Sequence, residues 1–178
     1  LTAHGYGHAV RTATLCNELS ENVRLIFRTT LPEIFFREEV KKPFEVFPAQ
    51  FDCGCLQRDS VTVDKKETLL AYRRLAEQNT ARLAGEVQFC REQGIDGIVS
   101  DITPFAFEVA CKAGLPSVAV ANFTWYDIYE PYAREYPFFE PCLREIRNQY
   151  QMADLLPELT PSTGMPYFRK RRKVPPVA

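Results

Sequence analysis

Short apolar runs alternate with helical segments along most of this chain, and that alternation limits the fold more than any other feature. The runs at 97–100 and 116–121 are apolar almost throughout, as in strands covered on both faces. Between them, Thr103 is a candidate helix cap, Pro104 fits a first turn and Gly114 fits a helix end. Strands joined through helices form right-handed crossovers. The sequence therefore predicts an α/β fold with a parallel sheet and helices on both faces.

The same patterns predict the other elements. Helices are expected at 9–20, 31–40, 66–93, 103–113 and 141–152, with a shorter aromatic segment at 123–136. Further strands are expected at 23–30, 44–47 and 155–159. The glycine-containing loop near the start is of a kind that follows a buried strand, so we expect the first strand to be largely missing. The domain is predicted to span 1–168, and a basic, proline-containing linker 169–178 leads toward a further domain.

Composition excludes several classes of function. The net charge is −1, so no overall field attracts nucleic acid. The sequence has no run of roughly 18 apolar residues that could span a bilayer. Its six cysteines lie largely in apolar settings, and Cys53-Gly-Cys55 lacks the spacing of a zinc knuckle. We therefore expect reduced thiols in a cytoplasmic protein, with no metal site and no cofactor. A tight turn is the better interpretation of Cys53 and Cys55 than a redox pair.

Polar and aromatic side chains gather where three of the predicted strands end. The first loop holds His4, Gly5, Gly7 and His8; the second holds Asp101 and Thr103; the third holds Asn122 and Trp125. In an open parallel sheet, ligands bind beyond the carboxyl ends of the strands. The loops must therefore open on the same edge of the sheet. Both histidines and the single tryptophan of the sequence lie on that edge.

His8 and Asp101 are candidates for an acid–base pair. A histidine is a natural general base near neutral pH, and a carboxylate bonded to its other nitrogen fixes the tautomer. The alternative for His8 is packing under the first helix. The alternative for Asp101 is a favourable charge at the start of the next helix. Spacing alone does not decide between these interpretations.

The other residues of this edge are candidates for substrate binding. Gly5 and Gly7 let the backbone approach a ligand, and the helix after them offers its N–H groups to an anion. Trp125 has a flat face for a sugar, or it plugs the core. Asn122 can bond a hydroxyl, or it is a turn residue. His4 and Thr103 complete the predicted binding set.

Several segments together resemble one family. The opening at 4–12, HGYGHAVRT, resembles the GHGxGHxxR start of a group of GT-B glycosyltransferases and glycosyltransferase-like proteins. It is similar to the amino-terminal domain of plant arabinokinase-type proteins and of bacterial predicted glycosyltransferases. The resemblance continues nearly to the end of the chain, at 52–57, 62–64, 99–104, 120–125, 165–166 and 174–175.

That resemblance implies the amino-terminal, acceptor-side half of a GT-B fold, a Rossmann-like domain facing an absent second domain. It implies transfer of a sugar from a nucleotide-sugar donor to an acceptor hydroxyl. His8 matches the position of the base and Asp101 that of its partner, and the isolated chain is expected to be inactive. The alternative is a non-catalytic sugar- or nucleotide-binding regulatory module, fused to a sugar kinase or another partner. A sugar-nucleotide epimerase of the same architecture is a third possibility.

Overall fold

A computed structural model describes residues 1–175. Within them the α-helices are α1 (Tyr6–Glu18), α2 (Glu33–Glu39), α3 (Lys65–Glu92), α4 (Phe105–Ala113), α5 (Trp125–Glu135) and α6 (Glu140–Gln151). A short 3-10 helix spans Pro137–Phe139. The strands are β1 (Leu25–Arg28), β2 (Phe44–Phe47), β3 (Ile98–Asp101), β4 (Ser117–Val120), β5 (Leu156–Leu159) and β6 (Arg171–Val174). The predicted α/β class is confirmed.

The strands form parallel pairs. β1 pairs with β2, β3 with β4 and β5 with β6, all in parallel. Two single bridges, Val118 with Leu155 and Ala121 with Glu158, join β4 to β5. Strands β3 to β6 therefore lie side by side, and in the described residues β1 and β2 form a separate pair. The parallel direction is confirmed, but within residues 1–175 the six strands do not join into the single sheet that the sequence predicts.

Three apolar clusters pack the helices against the strands and against each other. Helices α1 and α2 pack on β1 through Ala9, Ala13, Phe27 and Phe36. Helices α3 and α4 share a small cluster that contains Val87 and Phe105. The largest cluster joins α3, α5 and α6 to β4 and β5, and buried aromatic rings fill much of it. Trp125, Tyr129 and Tyr150 are 2%, 0% and 0% exposed, so this cluster is well packed beside the strand ends.

Helix α1 starts earlier than the sequence predicts. It begins at Tyr6, directly after Gly5, whose φ of 91° is accessible to glycine at little cost. The predicted start at Ala9 was wrong because Gly7 lies within the first turn and not in the loop. His8 is therefore helical, and Arg11 lies three positions later on the same helical face.

The end signals of two helices are confirmed, and one cap is corrected. Gly114 follows α4 with φ of 71°, and Gly94 follows α3 with φ of 61°. Thr103 does not cap α4, contrary to the prediction. Pro104 is the N-cap, and no side chain caps this end of the helix. The Thr103 hydroxyl donates to Asp52 instead.

The basic segment is not simply a linker. Arg171–Val174 forms β6, the outer neighbour of β5, although the sequence predicts a linker from Arg169. A ladder needs only backbone groups, and exposed Arg and Lys side chains are common on the outer strand of a sheet. Residues 176–178 of the predicted linker lie outside the described residues.

Two further expectations concern the cysteines and the membrane. All six cysteines are free thiols. Burial raises the pKa of the Cys53 thiol to about 12, so this thiol is a poor nucleophile at neutral pH. None of the described helices is long and apolar enough to cross a bilayer.

Candidate functional site

Four side chains from three elements meet at the carboxyl ends of β3 and β4. His8 and Arg11 come from the first two turns of α1, Asp101 ends β3, and Asn122 lies two residues after β4. Hydrogen bonds connect all four. We call this group the Arg11 cluster. Its members are mostly buried, with 12% of the His8 side chain, 15% of Arg11 and 4% of Asp101 exposed.

The imidazole of His8 is held by Asp101. Its Nδ1 lies 2.6 Å from Oδ1 of Asp101. Two acceptors at that distance would repel each other, so the proton lies between them and Nδ1–H donates to the carboxylate. Nη2 of Arg11 is 3.1 Å from the same Nδ1, but it donates to Oδ1 of Asp101 over 2.7 Å. The carboxylate thus fixes the ring and leaves Nε2 as its other polar atom.

Arg11 binds the same carboxylate with two donors. Its Nε donates to Oδ2 of Asp101 over 2.9 Å and its Nη2 to Oδ1, a bidentate pair. A third donor, Nη1, reaches Oδ1 of Asn122 over 3.1 Å. The carboxylate of Asp101 therefore accepts from the guanidinium of Arg11 as well as from the ring of His8.

The protonation of Asp101 reflects these contacts. Burial by itself would raise the pKa of this carboxyl, but the hydrogen bonds from His8 and Arg11, together with their charges, lower it below its ordinary value of 3.8. Asp101 is therefore ionised at neutral pH.

Two polar atoms of the Arg11 cluster remain available to a ligand. Nε2 of His8 and Nδ2 of Asn122 have no hydrogen-bond partner among the described residues. Among residues 1–175, Oδ1 of Asn79 is the fully buried side-chain polar atom that lacks a hydrogen-bond partner. Nε2 of His8 and Nδ2 of Asn122 also lack partners but are not fully buried, so both keep some exposure to solvent.

A second polar centre lies beside the cluster, at Asp52. This carboxylate is 4% exposed and accepts from the hydroxyls of Thr2 and Thr103 over 2.7 and 2.6 Å. It also accepts from Nε1 of Trp125 over 3.2 Å. Three donors from distant parts of the chain thus satisfy one buried charge.

The geometry around Asp52 leaves two predicted binding residues without a free polar group. Thr103 is 1% exposed, and its hydroxyl is committed to Asp52. Trp125 is 2% exposed and stacks on Tyr129, with ring centroids 5.6 Å apart. A sugar cannot stack on a ring that is covered in this way. Both side chains are buried beside the strand ends, and their polar atoms donate to Asp52.

The loop before α1 is more open. The ring of His4 lies against Gly54, where a Cβ would come within 2.1 Å of its Nδ1, and it meets Trp125 edge-on. Loss of solvent around this ring lowers the pKa of His4, although nearby Asp52 opposes the shift. Nothing lies within 4 Å of a Cβ built on Gly5 or Gly7. The first turn of α1 has no side-chain cap and no acidic residue, so its N–H groups are free to meet an anion.

Two residues of this region were missed in the sequence. Arg11 stands three positions after His8, a spacing that places both on one helical face, so its proximity could have been predicted once the helix start was known. Asp52 lies in an irregular loop five positions after β2. No local pattern indicates that it reaches Thr103 and Trp125.

Comparison with known proteins gives one curated relative. The chain is 32% identical over 181 residues to L-arabinokinase from Arabidopsis thaliana. The match covers 98% of this chain but only 17% of the relative, so the chain spans about a sixth of that protein's length. No protein-family model matches the chain, and no solved structure matches it. The predicted similarity to arabinokinase-type proteins is confirmed.

The comparison corrects the leading functional prediction. The sequence predicted a domain of a glycosyltransferase, but the relative that matches nearly all of the chain is named as a sugar kinase. The transferase prediction is therefore wrong, and the nucleotide-sugar donor and hydroxyl acceptor that it implied are not shown. The predicted alternative, a module fused to a sugar kinase, fits the match better.

Proposed function

We propose that this chain is a non-catalytic sugar- or nucleotide-binding module within a larger protein that also contains a sugar kinase or another partner domain. The observation that carries the proposal is the match of nearly the whole chain to about a sixth of L-arabinokinase. The matched length of 181 residues is the size of one domain. The fused partner and the activity of the whole protein are part of the proposal.

The electrostatics of the Arg11 cluster support binding over proton transfer. In a catalytic histidine–aspartate pair, the carboxylate stabilises the imidazolium that forms when the ring takes a proton. Here Arg11 already makes two charged hydrogen bonds to Asp101. The carboxylate is therefore shared between His8 and Arg11, and Nη2 of Arg11 lies only 3.1 Å from Nδ1 of His8. We therefore propose His8 and Asp101 as residues of a binding site, with Asn122, His4, Gly5 and Gly7 around them.

The arrangement of the strands supports a Rossmann-like fold, which we propose as the finer description. Strands β3 to β6 are parallel neighbours, and β1 and β2 are parallel to each other. The Arg11 cluster lies at carboxyl ends of strands, where α/β folds bind their ligands. The open first turn of α1 next to it suits a phosphate of a nucleotide or sugar phosphate. The six free cysteines favour a reducing compartment, for which we propose the cytoplasm.

A binding panel tests this function. We expect the full-length protein to bind a sugar, a nucleotide or a nucleotide sugar by calorimetry, and the Asn122→Asp variant to bind it at least about tenfold more weakly, because Nδ2–H is lost. Asn22→Asp, which changes an exposed turn residue, is the matched control and should bind as wild type does. L-Arabinose, ATP and UDP-sugars form the panel.

The same samples are then analysed for products. The proposal predicts that a kinase-inactive form of the full-length protein leaves every bound compound unchanged. Saturable binding that Asn122→Asp abolishes, without turnover, supports a binding module. Turnover that persists in the kinase-inactive form and is lost in His8→Ala, or no binding of any compound in the panel, contradicts the proposal.

A further inference from the structure

Arg11 is connected to every other member of its cluster. Two of its nitrogen atoms donate to Asp101 and a third donates to Asn122, and Asp101 in turn holds His8. The side chain is 15% exposed. A planar guanidinium with its donors in a fixed fork imposes directions on its partners as well as distances.

Those directions decide which atoms face outward. Oδ1 of Asn122 accepts from Arg11, so the amide group is oriented and its Nδ2 points away from that bond. Nδ1–H of His8 donates to Asp101, so Nε2 carries the lone pair of the neutral ring. The cluster therefore offers one fixed acceptor, Nε2, and one fixed donor, Nδ2–H.

The charges of the cluster limit the ligand further. The negative Asp101 and the positive Arg11 cancel, so with the neutral form of the His8 ring the cluster carries no net charge. A phosphate oxygen accepts hydrogen bonds but has no proton for Nε2 when fully ionised. A hydroxyl donates and accepts, so two neighbouring hydroxyls of a sugar complement Nε2 and Nδ2–H together.

The geometry points to Arg11 as a positioning residue that orients His8 and Asn122 to bind neighbouring hydroxyls of an uncharged sugar ring. The inference rests on the proposed binding function and specifies that the part of the ligand bound at this cluster is an uncharged sugar. A phosphate of the same ligand would lie elsewhere. Arg11 itself need not touch the sugar, since each of its three nitrogen atoms already donates to Asp101 or Asn122.

The first test is the state of the His8 ring, which needs no ligand. Nitrogen NMR of the full-length protein at about pH 8, above the ordinary titration range of histidine, should show a proton on Nδ1 of His8 and none on Nε2. The His8→Gln variant assigns the signal. A ring protonated on Nε2 instead would overturn the inference.

Arg11→Gln should change the NMR signals of the His8 ring without unfolding the protein. Without the guanidinium, Asp101 loses two hydrogen bonds and Asn122 loses one, so the nitrogen shifts of the His8 ring should differ from those of wild type. Arg11→Lys restores the charge and should return these shifts toward wild type. Arg37→Gln, at an exposed ion pair on α2, is the control that should change nothing.

The second test is binding. Arg11→Gln should weaken binding of a free aldopentose about tenfold or more, with Arg11→Lys intermediate because it lacks the fork that reaches Asn122. Binding of inorganic phosphate should be unchanged. If sugar binds wild type and Arg11→Gln equally, the inference fails while the proposed function stands. If Arg11→Gln loses phosphate and keeps sugar, the ligand class is wrong. If nothing binds to wild type, the proposed function fails and this inference fails with it.

Discussion

Replacing Asp101 with alanine is expected to lower the free energy of unfolding by about 3 to 5 kcal/mol, because it leaves a mostly buried guanidinium without its partner. Asp101 is 4% exposed and accepts from His8 and from two nitrogen atoms of Arg11. The alanine variant removes every one of these acceptors at once. Asp101→Asn keeps one acceptor and should lose roughly half as much.

Urea unfolding of the 178-residue chain, followed by the fluorescence of its single tryptophan, measures the effect. Asp96→Ala, an exposed carboxylate in the loop before β3, is the matched control and should change stability by less than about 0.5 kcal/mol. Equal stabilities for Asp101→Ala and Asp96→Ala would show that the cluster carries no net stabilisation.

The contribution of Asp101 should also depend on pH. Because its pKa is lower in the folded protein than the ordinary 3.8, the ionised carboxylate stabilises the fold above that value. The stabilisation is lost as the pH falls from there through the folded-state pKa. The difference in unfolding free energy between wild type and Asp101→Asn should therefore shrink below pH 3.8. A difference that grows in acid would contradict this assignment.

Replacing Trp125 with alanine should cost about 3 to 5 kcal/mol, the usual cost of truncating a buried large aromatic side chain. The ring is 2% exposed, stacks on Tyr129 at an interplanar angle of 13° and donates to Asp52. The variant opens a cavity in the largest core cluster directly below the strand ends. Asp52 also loses one of its three side-chain donors.

Trp125→Phe separates these two causes. It keeps most of the ring but removes the donor to Asp52, so we expect a loss of about 1 to 2 kcal/mol. Circular dichroism must follow unfolding here, since both variants lack the tryptophan. If the alanine and phenylalanine variants were equally stable, packing of this ring would not be the main contribution, contrary to the burial of Trp125.

The strands and helices were largely predictable because their signals are local. β2 was predicted with its observed bounds, and Gly114 ends α4 as expected. β6 was not predictable, since an arginine- and lysine-rich segment has no apolar pattern and its pairing with β5 depends on tertiary contacts. The start of α1 was placed three residues late because Gly7 was assigned to the loop.

The candidate site was predictable in part. The meeting of Asp101 and Asn122 follows from the ends of the parallel strands β3 and β4, and hydrogen bonds bring His8 and Arg11 of α1 to them. The roles of Thr103 and Trp125 were not predictable, because both depend on Asp52, which reaches them from a loop without regular structure. Arg11 adds the most polar contacts to the site, since it donates to both Asp101 and Asn122.

Histidine NMR of the full-length protein during titration with the compound that binds in the calorimetric panel is the most direct test of the proposed binding site. The proposed site predicts that the ring signals of His8 move saturably, with the same midpoint as the calorimetric titration, and that His8→Gln removes the moving signal. Saturable binding with unchanged His8 signals would contradict a ligand site at the Arg11 cluster.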